Sequence, residues 1–164
     1  MAYLLDANVF IQAKNLHYGL DFCPAFWDWV VENNRSGKVF SIEKVGDEIE
    51  AGEDELTEWA KQLDDGFFLK PDGSVTQRFS DVATWVTAQN YDPAAINTFY
   101  QVADYYLVTH ALAHNHVVVT HEKPDNAVKR IKIPNVCIGV GVKCMTPFEM
   151  LRRERARFVL GPAA

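Results

Sequence analysis

The sequence has few cysteines, no long apolar run and no excess of basic residues. Its three cysteines, Cys23, Cys137 and Cys144, are odd in number and lack Cys-x-x-Cys spacing, which argues against a disulfide framework or a zinc knuckle. No apolar run approaches the roughly 20 residues of a membrane span, and the N-terminal segment lacks the basic region of a secretory signal. We therefore expect a cytoplasmic protein that does not act at a membrane.

The charge balance also excludes one way of binding nucleic acid. Asp and Glu number 22 against 16 Lys and Arg, which gives a net charge of -6. Such a surface does not coat nucleic acid by charge alone. A nuclease whose carboxylates bind cations at one cleft remains compatible with it. With 164 residues and 48% hydrophobic content, the chain is expected to form one globular domain, residues 1–164.

Strand-like and helix-like patterns alternate along the chain. A short apolar run before Asp6 predicts a first strand, and further strands are predicted at 38–41, 67–69, 117–120 and 136–140. Helical spacing of apolar residues predicts helices at 22–33, 42–50, 53–63, 75–88, 99–115 and 147–158, and a short one that finishes at 128–130. This alternation predicts an α/β sandwich with a central, mainly parallel sheet.

Acidic residues follow two of the predicted strands directly. Asp6 ends the first strand, and the strand at 117–120 is followed by Glu122 and Asp125. In open parallel sheets, ligands and metals bind at the carboxyl ends of the strands. We therefore expect these two strands to bring carboxylates to the same edge of the sheet.

Two further acids lie on predicted helices. Glu48 lies between Val45 and Ile49, at the margin of a buried helix face. Asp104 has apolar or aromatic residues along its flank, including Tyr100 and Leu107. An ionised carboxylate there carries a desolvation penalty unless it is paired or binds a cation.

Each of these residues has a simpler interpretation. Asp6 and Glu122 are suited to cap the helices that follow them, and Glu48 to be an ordinary solvated charge. Asp104 is suited to accept a hydrogen bond from a tyrosine such as Tyr3 or Tyr105. The histidines have no His-Glu-x-x-His motif, which favours surface or capping roles over a zinc site for His110, His114, His116 and His121.

Four segments, taken in order, resemble the PIN domain. They are Leu-Leu-Asp6-Ala-Asn8, Val45-Gly-Asp-Glu48-Ile49, Ala103-Asp104 and Thr120-His-Glu122. More narrowly, the chain is similar to the DUF4411-type group of PIN-like proteins, over about residues 3–150. The resemblance implies a three-layer α/β/α fold with a parallel sheet of about five strands.

The resemblance also implies an activity and a set of site residues. PIN-like domains bind Mg²⁺ or Mn²⁺ through acids and cleave RNA. Asp6, Glu48 and Asp104 match the three core acids, and Glu122 stands where a fourth acid, usually Asp, is found. Asp125 is the alternative fourth acid. Asn8 and Thr120 are predicted to orient carboxylates or contact phosphate.

The family further implies partners and a domain layout. The expected role is the toxin of a type II toxin–antitoxin system, held by a cognate antitoxin protein, and such domains commonly form homodimers. Residues 66–90 are longer than the minimal fold needs and predict a helical insertion. Residues 147–158 are predicted to form the C-terminal helix.

Two other functions compete with the nuclease. A strand-end Asp6 is similar to the nucleophile of haloacid-dehalogenase-type phosphatases, although that family expects a second Asp where Asn8 stands. The other competitor is a catalytically silent PIN-like module that only binds a partner.

Overall fold

The computed structural model describes residues 1–161, so the last three residues of the predicted domain lie outside it. Five short strands form one sheet in the order β3-β2-β1-β4-β5, and every adjacent pair is parallel. The strands are β1 (Tyr3–Leu5), β2 (Val39–Ile42), β3 (Phe68–Leu69), β4 (Val117–Val119) and β5 (Cys144–Met145). The predicted parallel sheet of about five strands is therefore confirmed.

Helices flank the sheet. They are α1 (Ala7–Gln12), which continues as a π-helical turn over Ala13–His17, α2 (Pro24–Arg35), α3 (Glu43–Ala51), α4 (Glu55–Lys61), α5 (Gly73–Ala88), α6 (Pro93–Gln101), α7 (Ala103–His114), α8 (Ile133–Val140) and α9 (Pro147–Arg153). Within residues 1–161, no helix combines the length and the apolar character needed to cross a membrane.

The two central strands are apolar because helices cover both sides of them. Leu4 and Leu5 of β1 and Val118 of β4 are fully buried, as expected for parallel strands between helical layers. β1 pairs with β2 on one side and with β4 on the other, and Leu5 lies opposite Val119. This register places the carboxyl ends of β1 and β4 next to each other.

The predicted strand at 136–140 is wrong, because this segment belongs to helix α8. Pro134 lies in the first turn of α8, where proline is favoured, and Gly141 ends the helix with φ 79°. A short run of apolar residues fits a buried helix as well as a strand. The strand at this end of the sheet is β5, a few residues later.

The predicted long helix at 99–115 is interrupted. Val102 adopts an extended conformation (φ -104°, ψ 165°) that ends α6 and begins α7. Asp104 therefore lies in the first turn of α7 and not inside a continuous helix. The apolar spacing on which the prediction rested continues through the break.

Two other helix predictions also differ from the structure. Residues 128–130 lie in an irregular segment with no helix. The C-terminal helix ends at Arg153 instead of 158, because Arg155 adopts a left-handed backbone conformation (φ 55°). The helix predicted at 75–88 is present as α5, and the interpretation of residues 66–90 as an insertion stays a prediction.

Helices α5 and α8 meet at Gly139. A Cβ atom added to this glycine would lie 1.9 Å from Cε2 of Trp85 on α5. The indole ring therefore occupies the space that any other residue's side chain would need. This contact fixes how closely α8 approaches α5.

We predict that Gly139→Ala destabilises the protein by about 1–2 kcal/mol, because displacing the Trp85 ring outweighs the gain of about 1 kcal/mol from alanine's helix propensity. Urea unfolding followed by circular dichroism measures the change. In a Trp85→Ala background, the same substitution should be neutral or stabilising. Equal destabilisation in both backgrounds would show that Trp85 is not the cause.

Candidate active site

Asp6 lies at the carboxyl end of β1 and is 5% exposed. Its Oδ1 accepts a hydrogen bond from the backbone N–H of Ala7 (2.7 Å), and its Oδ2 accepts one from the Thr120 hydroxyl (2.9 Å). The hydrogen bond from Ala7 caps helix α1, which was the simpler interpretation of Asp6. The hydrogen bond from Thr120 joins Asp6 to the end of β4. The Asp6 carboxylate therefore caps a helix and also connects the two strand ends.

Thr120 and Asn8 extend this contact into a small network. Thr120 Oγ1 accepts hydrogen bonds from Asn8 Nδ2 (3.2 Å) and from the backbone N–H of Glu122 (3.1 Å). Asn8 Oδ1 accepts one from the backbone N–H of His121 (3.2 Å). The two residues predicted to orient carboxylates are thus in contact with each other, and Thr120 also contacts Asp6.

Glu48 and Asp104 reach the same region from helices α3 and α7. Glu48 is half-exposed, and its partial burial raises its pKa, while the backbone N–H of Ala103 at the start of α7 opposes this shift. Asp104 is more deeply placed, and burial raises its pKa to about 7, with the charges of Glu122 and Glu48 adding to the shift.

The tyrosine partners considered for Asp104 are engaged elsewhere. The Tyr3 hydroxyl donates to Glu154 (2.7 Å), and the Tyr105 hydroxyl donates to the backbone oxygen of Phe79 (2.7 Å). The interpretation of Asp104 as an acid satisfied by either of these tyrosines is therefore wrong.

The carboxylates influence one another through their charges. Burial raises the pKa of Asp6 to about 8, and the charges of Asp104 and Glu122 add to this shift, while the hydrogen bonds from Thr120 and Ala7 oppose it. Since Asp104 also responds to Glu48 and Glu122, all four acids belong to one electrostatic cluster. Their mutual repulsion favours uptake of a proton or a cation.

Glu122, and not Asp125, belongs to this cluster. Glu122 Oε2 accepts from the backbone N–H of Ile133 (2.8 Å), Oε1 lies 3.3 Å from Arg130 Nη2, and the side chain is 10% exposed. Asp125 is exposed and accepts from the backbone N–H of Ala127 (2.8 Å). It therefore shapes its own loop, and its charge is not among the main causes of the raised pKa of Asp6 or Asp104.

The cluster is not a preformed metal cage. Within the described range, 1–161, no three His, Cys, Asp or Glu side chains are close enough together to hold one metal ion. Mg²⁺ usually binds one or two carboxylates, several waters and substrate phosphate, and does not need an all-protein cage. The donor chemistry and the excess of negative charge therefore fit such an ion.

A cavity of about 520 Å³ lies beside the acids. Glu48 and Asp104 line it together with residues of α6, and Lys129 and Arg130 line it too. Sequence reasoning missed these two basic residues because it assigned them to the end of a helix. The signal available in the sequence was a pair of adjacent basic residues shortly after Glu122.

His110, His114 and His116 lie towards the other end of α7, whereas His121 follows β4 and its ring packs against Phe148. His114 Nε2 is 2.8 Å from Asp72 Oδ2, and His116 Nδ1 accepts from the backbone N–H of Ala2 (3.1 Å). His110 is buried, which differs from the surface or capping role expected for it, and burial lowers its pKa to about 4. These contacts occupy the histidines within the fold.

A parallel sheet in this order, flanked by helices, agrees with the PIN-like fold that the sequence resemblance implied. A comparison with family models matches residues 3–158 to DUF4411, described as a domain of unknown function. The protein belongs to this family. A comparison with curated proteins finds no match.

Two solved structures show the same fold. One is VapBC2 from Rickettsia felis bound to a DNA fragment from their promoter, in which a chain aligns with a TM-score of 0.55 and 15% identity over 89% of this chain and 98% of that chain. The other is FitAB bound to an IR36 DNA fragment, with a TM-score of 0.56 and 18% identity over 89% of this chain and 95% of that chain. At this level of identity, the likeness establishes the fold.

We predict that Asp104→Asn increases the free energy of unfolding of the metal-free protein relative to wild type. This increase should become larger as pH rises. The folded pKa of Asp104 is about 7 against an ordinary value of 3.8, so between these values the folded state keeps a proton that the unfolded state releases. Wild-type stability therefore falls through this window and levels off above it. Asparagine does not titrate, and we expect its advantage to grow to on the order of 1–3 kcal/mol by about pH 8.

Urea unfolding in EDTA at several pH values between about 4 and 8 measures this difference. Asp65→Asn is the control, because Asp65 is exposed and lies in a turn outside the cluster. A stability difference between wild type and Asp104→Asn that does not vary with pH would contradict the electrostatic cluster.

Proposed function

We propose that the protein is a metal-dependent ribonuclease that hydrolyses RNA phosphodiester bonds with Mg²⁺ or Mn²⁺. The observation that carries this proposal is the electrostatic cluster of Asp6, Glu48, Asp104 and Glu122, contributed by two strand ends and two helices, beside an open cavity. Like charges that lie together and are partly buried are costly unless a bound cation neutralises them.

The four acids take different roles in this proposal. Asp6 and Asp104 are the principal ligands, because Asp6 is buried, Asp104 is partly buried and both have raised pKa values. Glu48 is half-exposed at the cavity and binds or orients a water there. Glu122 completes the negative charge of the site. When bound, the cation lowers the pKa of a water and stabilises charge on the leaving oxygen.

The surrounding hydrogen bonds support this arrangement. Thr120 and Asn8 hold Asp6 in one orientation and join the two strand ends, which is how residues behind metal ligands usually act. Asp125 is proposed to support the loop after β4 and not to bind the cation, since its Oδ1 accepts from a backbone N–H within that loop.

The phosphatase alternative finds little support in this geometry. A nucleophilic Asp6 needs an acid/base partner two residues further along the chain. Asn8 stands where that partner acid is expected, and its amide contacts Thr120 and His121. A phosphorylated Asp6 trapped during turnover would contradict the nuclease.

The silent binding module remains the second candidate. What favours it is that the described residues contain no three side chains already gathered to hold one metal ion. Binding of Mn²⁺ without cleavage of any RNA by the purified chain would support this candidate over the nuclease.

We also propose that the protein is the toxin of a type II toxin–antitoxin pair with a cognate antitoxin as partner. Its likeness in fold to chains of VapBC2 and FitAB supports this role. The homodimer and the cytoplasmic location stay predictions from the sequence.

We predict that Asp6→Asn and Asp104→Asn each lower metal-dependent RNA cleavage by more than about a hundredfold, because each removes a charge that the cation needs. Glu48→Gln and Glu122→Gln should also lose activity. Cleavage of a labelled single-stranded RNA with Mg²⁺ or Mn²⁺, and its loss in EDTA, measures this directly. Induction in growing cells should arrest growth with wild type and not with Asp104→Asn.

Asp47→Asn is the matched control, since Asp47 is an exposed acid next to Glu48 on α3. It should cleave RNA like wild type. Full activity of Asp6→Asn and Asp104→Asn, or equal growth arrest by all variants, would exclude the proposed nuclease.

A further inference from the structure

We propose that Arg130, with Lys129 beside it, binds a phosphodiester group of the RNA in the cavity next to the acids, and that Glu122 positions the Arg130 guanidinium for this contact. Arg130 is then a residue that positions the substrate. The inference rests on the proposed ribonuclease function and adds a phosphate-binding residue to it.

The first support is the composition of the cavity walls. Glu48 and Asp104 lie on one part of the lining, and Lys129 and Arg130 on another. The remaining residues are apolar or uncharged and come mainly from α6, namely Ala94, Ala95, Thr98 and Phe99, with Val102 and Ile131. The two adjacent basic residues are therefore the cationic part of a cavity that also contains two of the acids.

The second support is electrostatic. A phosphodiester that approaches the acid cluster is repelled by it, and the protein as a whole has a net charge of -6. Arg130 already contacts this region, because its Nη2 lies 3.3 Å from Oε1 of Glu122, one of the four acids. A guanidinium at this place can attract a phosphate group to the edge of the cluster.

The third support is the way Glu122 holds Arg130. The backbone N–H of Ile133 at the start of α8 fixes Glu122 Oε2 (2.8 Å), which leaves Oε1 to face Arg130 Nη2 at 3.3 Å. Nη2 of the guanidinium makes the hydrogen bond of that ion pair. The other N–H donors of arginine suit the paired oxygens of a phosphate.

The fourth support is accessibility. The Arg130 side chain is 67% exposed, although its partner Glu122 is only 10% exposed. An ion pair with one solvated member contributes little to stability, so a phosphate can share or replace it at small cost. The cavity volume of about 520 Å³ also lies within the range of about 300–1,000 Å³ found for small-ligand sites, enough for one nucleotide unit.

The test is RNA binding by Arg130→Ala, Arg130→Lys and Arg78→Ala. All three are made in the Asp6→Asn background and measured in EDTA with a labelled single-stranded RNA at several salt concentrations. Arg78 is a matched control, because it is 54% exposed and pairs with Asp81 at 3.0 Å on α5, outside the cavity lining. Circular dichroism and thermal unfolding check that each variant is folded.

We expect Arg130→Ala to weaken RNA binding by about tenfold and to reduce the slope of log affinity against log salt by about 0.7, the value for one phosphate contact in a single strand. Arg130→Lys should keep most of the slope, because it keeps the charge. Arg78→Ala should match the parent protein. In the active protein, Arg130→Ala should raise KM more than it lowers kcat.

A second measurement separates phosphate contact from a structural role. RNA analogues that carry a neutral methylphosphonate at one position at a time remove single phosphate charges. At one position of the RNA, we expect the neutral methylphosphonate to weaken binding to the parent protein. The same methylphosphonate should not weaken binding to the Arg130→Ala variant any further. Non-additivity at one position is the mark of a direct contact.

Equal affinity and equal salt slopes for Arg130→Ala and Arg78→Ala would overturn the inference. It would also be overturned if Arg130→Ala showed the same non-additivity with a methylphosphonate at every position of the RNA. If the wild-type protein cleaves RNA and Arg130→Ala does so with unchanged KM, only this inference fails. If the wild-type protein neither binds nor cleaves RNA, the proposed function fails and the inference fails with it.

Discussion

The arrangement of the site depends on one hydroxyl group placed between two strand ends. Parallel pairing puts Leu5 of β1 opposite Val119 of β4, so Asp6 and Thr120 emerge side by side. The Thr120 hydroxyl donates to Asp6 and accepts from the Asn8 side chain and the Glu122 backbone. One oxygen atom thereby uses its full hydrogen-bonding capacity and sets the relative positions of both strand ends.

The strand ends could be predicted from the sequence because two local patterns, an apolar run and an acidic residue after it, occur together there. A buried apolar run followed at once by an acid predicts both the strand and the side of the sheet where the carboxylate lies. This holds for Asp6 and for the segment that leads to Glu122. Residues 136–140 were misassigned because an apolar run alone does not separate a buried helix from a strand. Pro134 and Gly141, at the two ends of that helix, were the informative residues.

Other parts of the site could not be predicted, for a different physical reason. The break at Val102 leaves the apolar spacing intact, so the sequence does not reveal that Asp104 begins a helix. In the first turn of α7, the carboxylate lies near free backbone N–H groups, which favour its ionised form. The loop with Lys129 and Arg130 has no periodicity, and its position over the acids depends on distant contacts such as that between Glu122 and the amide of Ile133.

The contact between Glu122 and the amide of Ile133 affects which parts of the sequence can vary. The segment after β4 is tied at both ends, at Thr120 by the strand-end network and at Ile133 by the Glu122 carboxylate. Most residues between these ties are exposed, although Ile131 is buried, and none of them lies in a helix or strand. Surface loops of this kind tolerate exchange and insertion better than the elements they connect. In the proposed nuclease, the loop that would contact RNA and the strand ends that hold the carboxylates are therefore separate stretches of the chain, so the first can diverge among relatives while the second is retained.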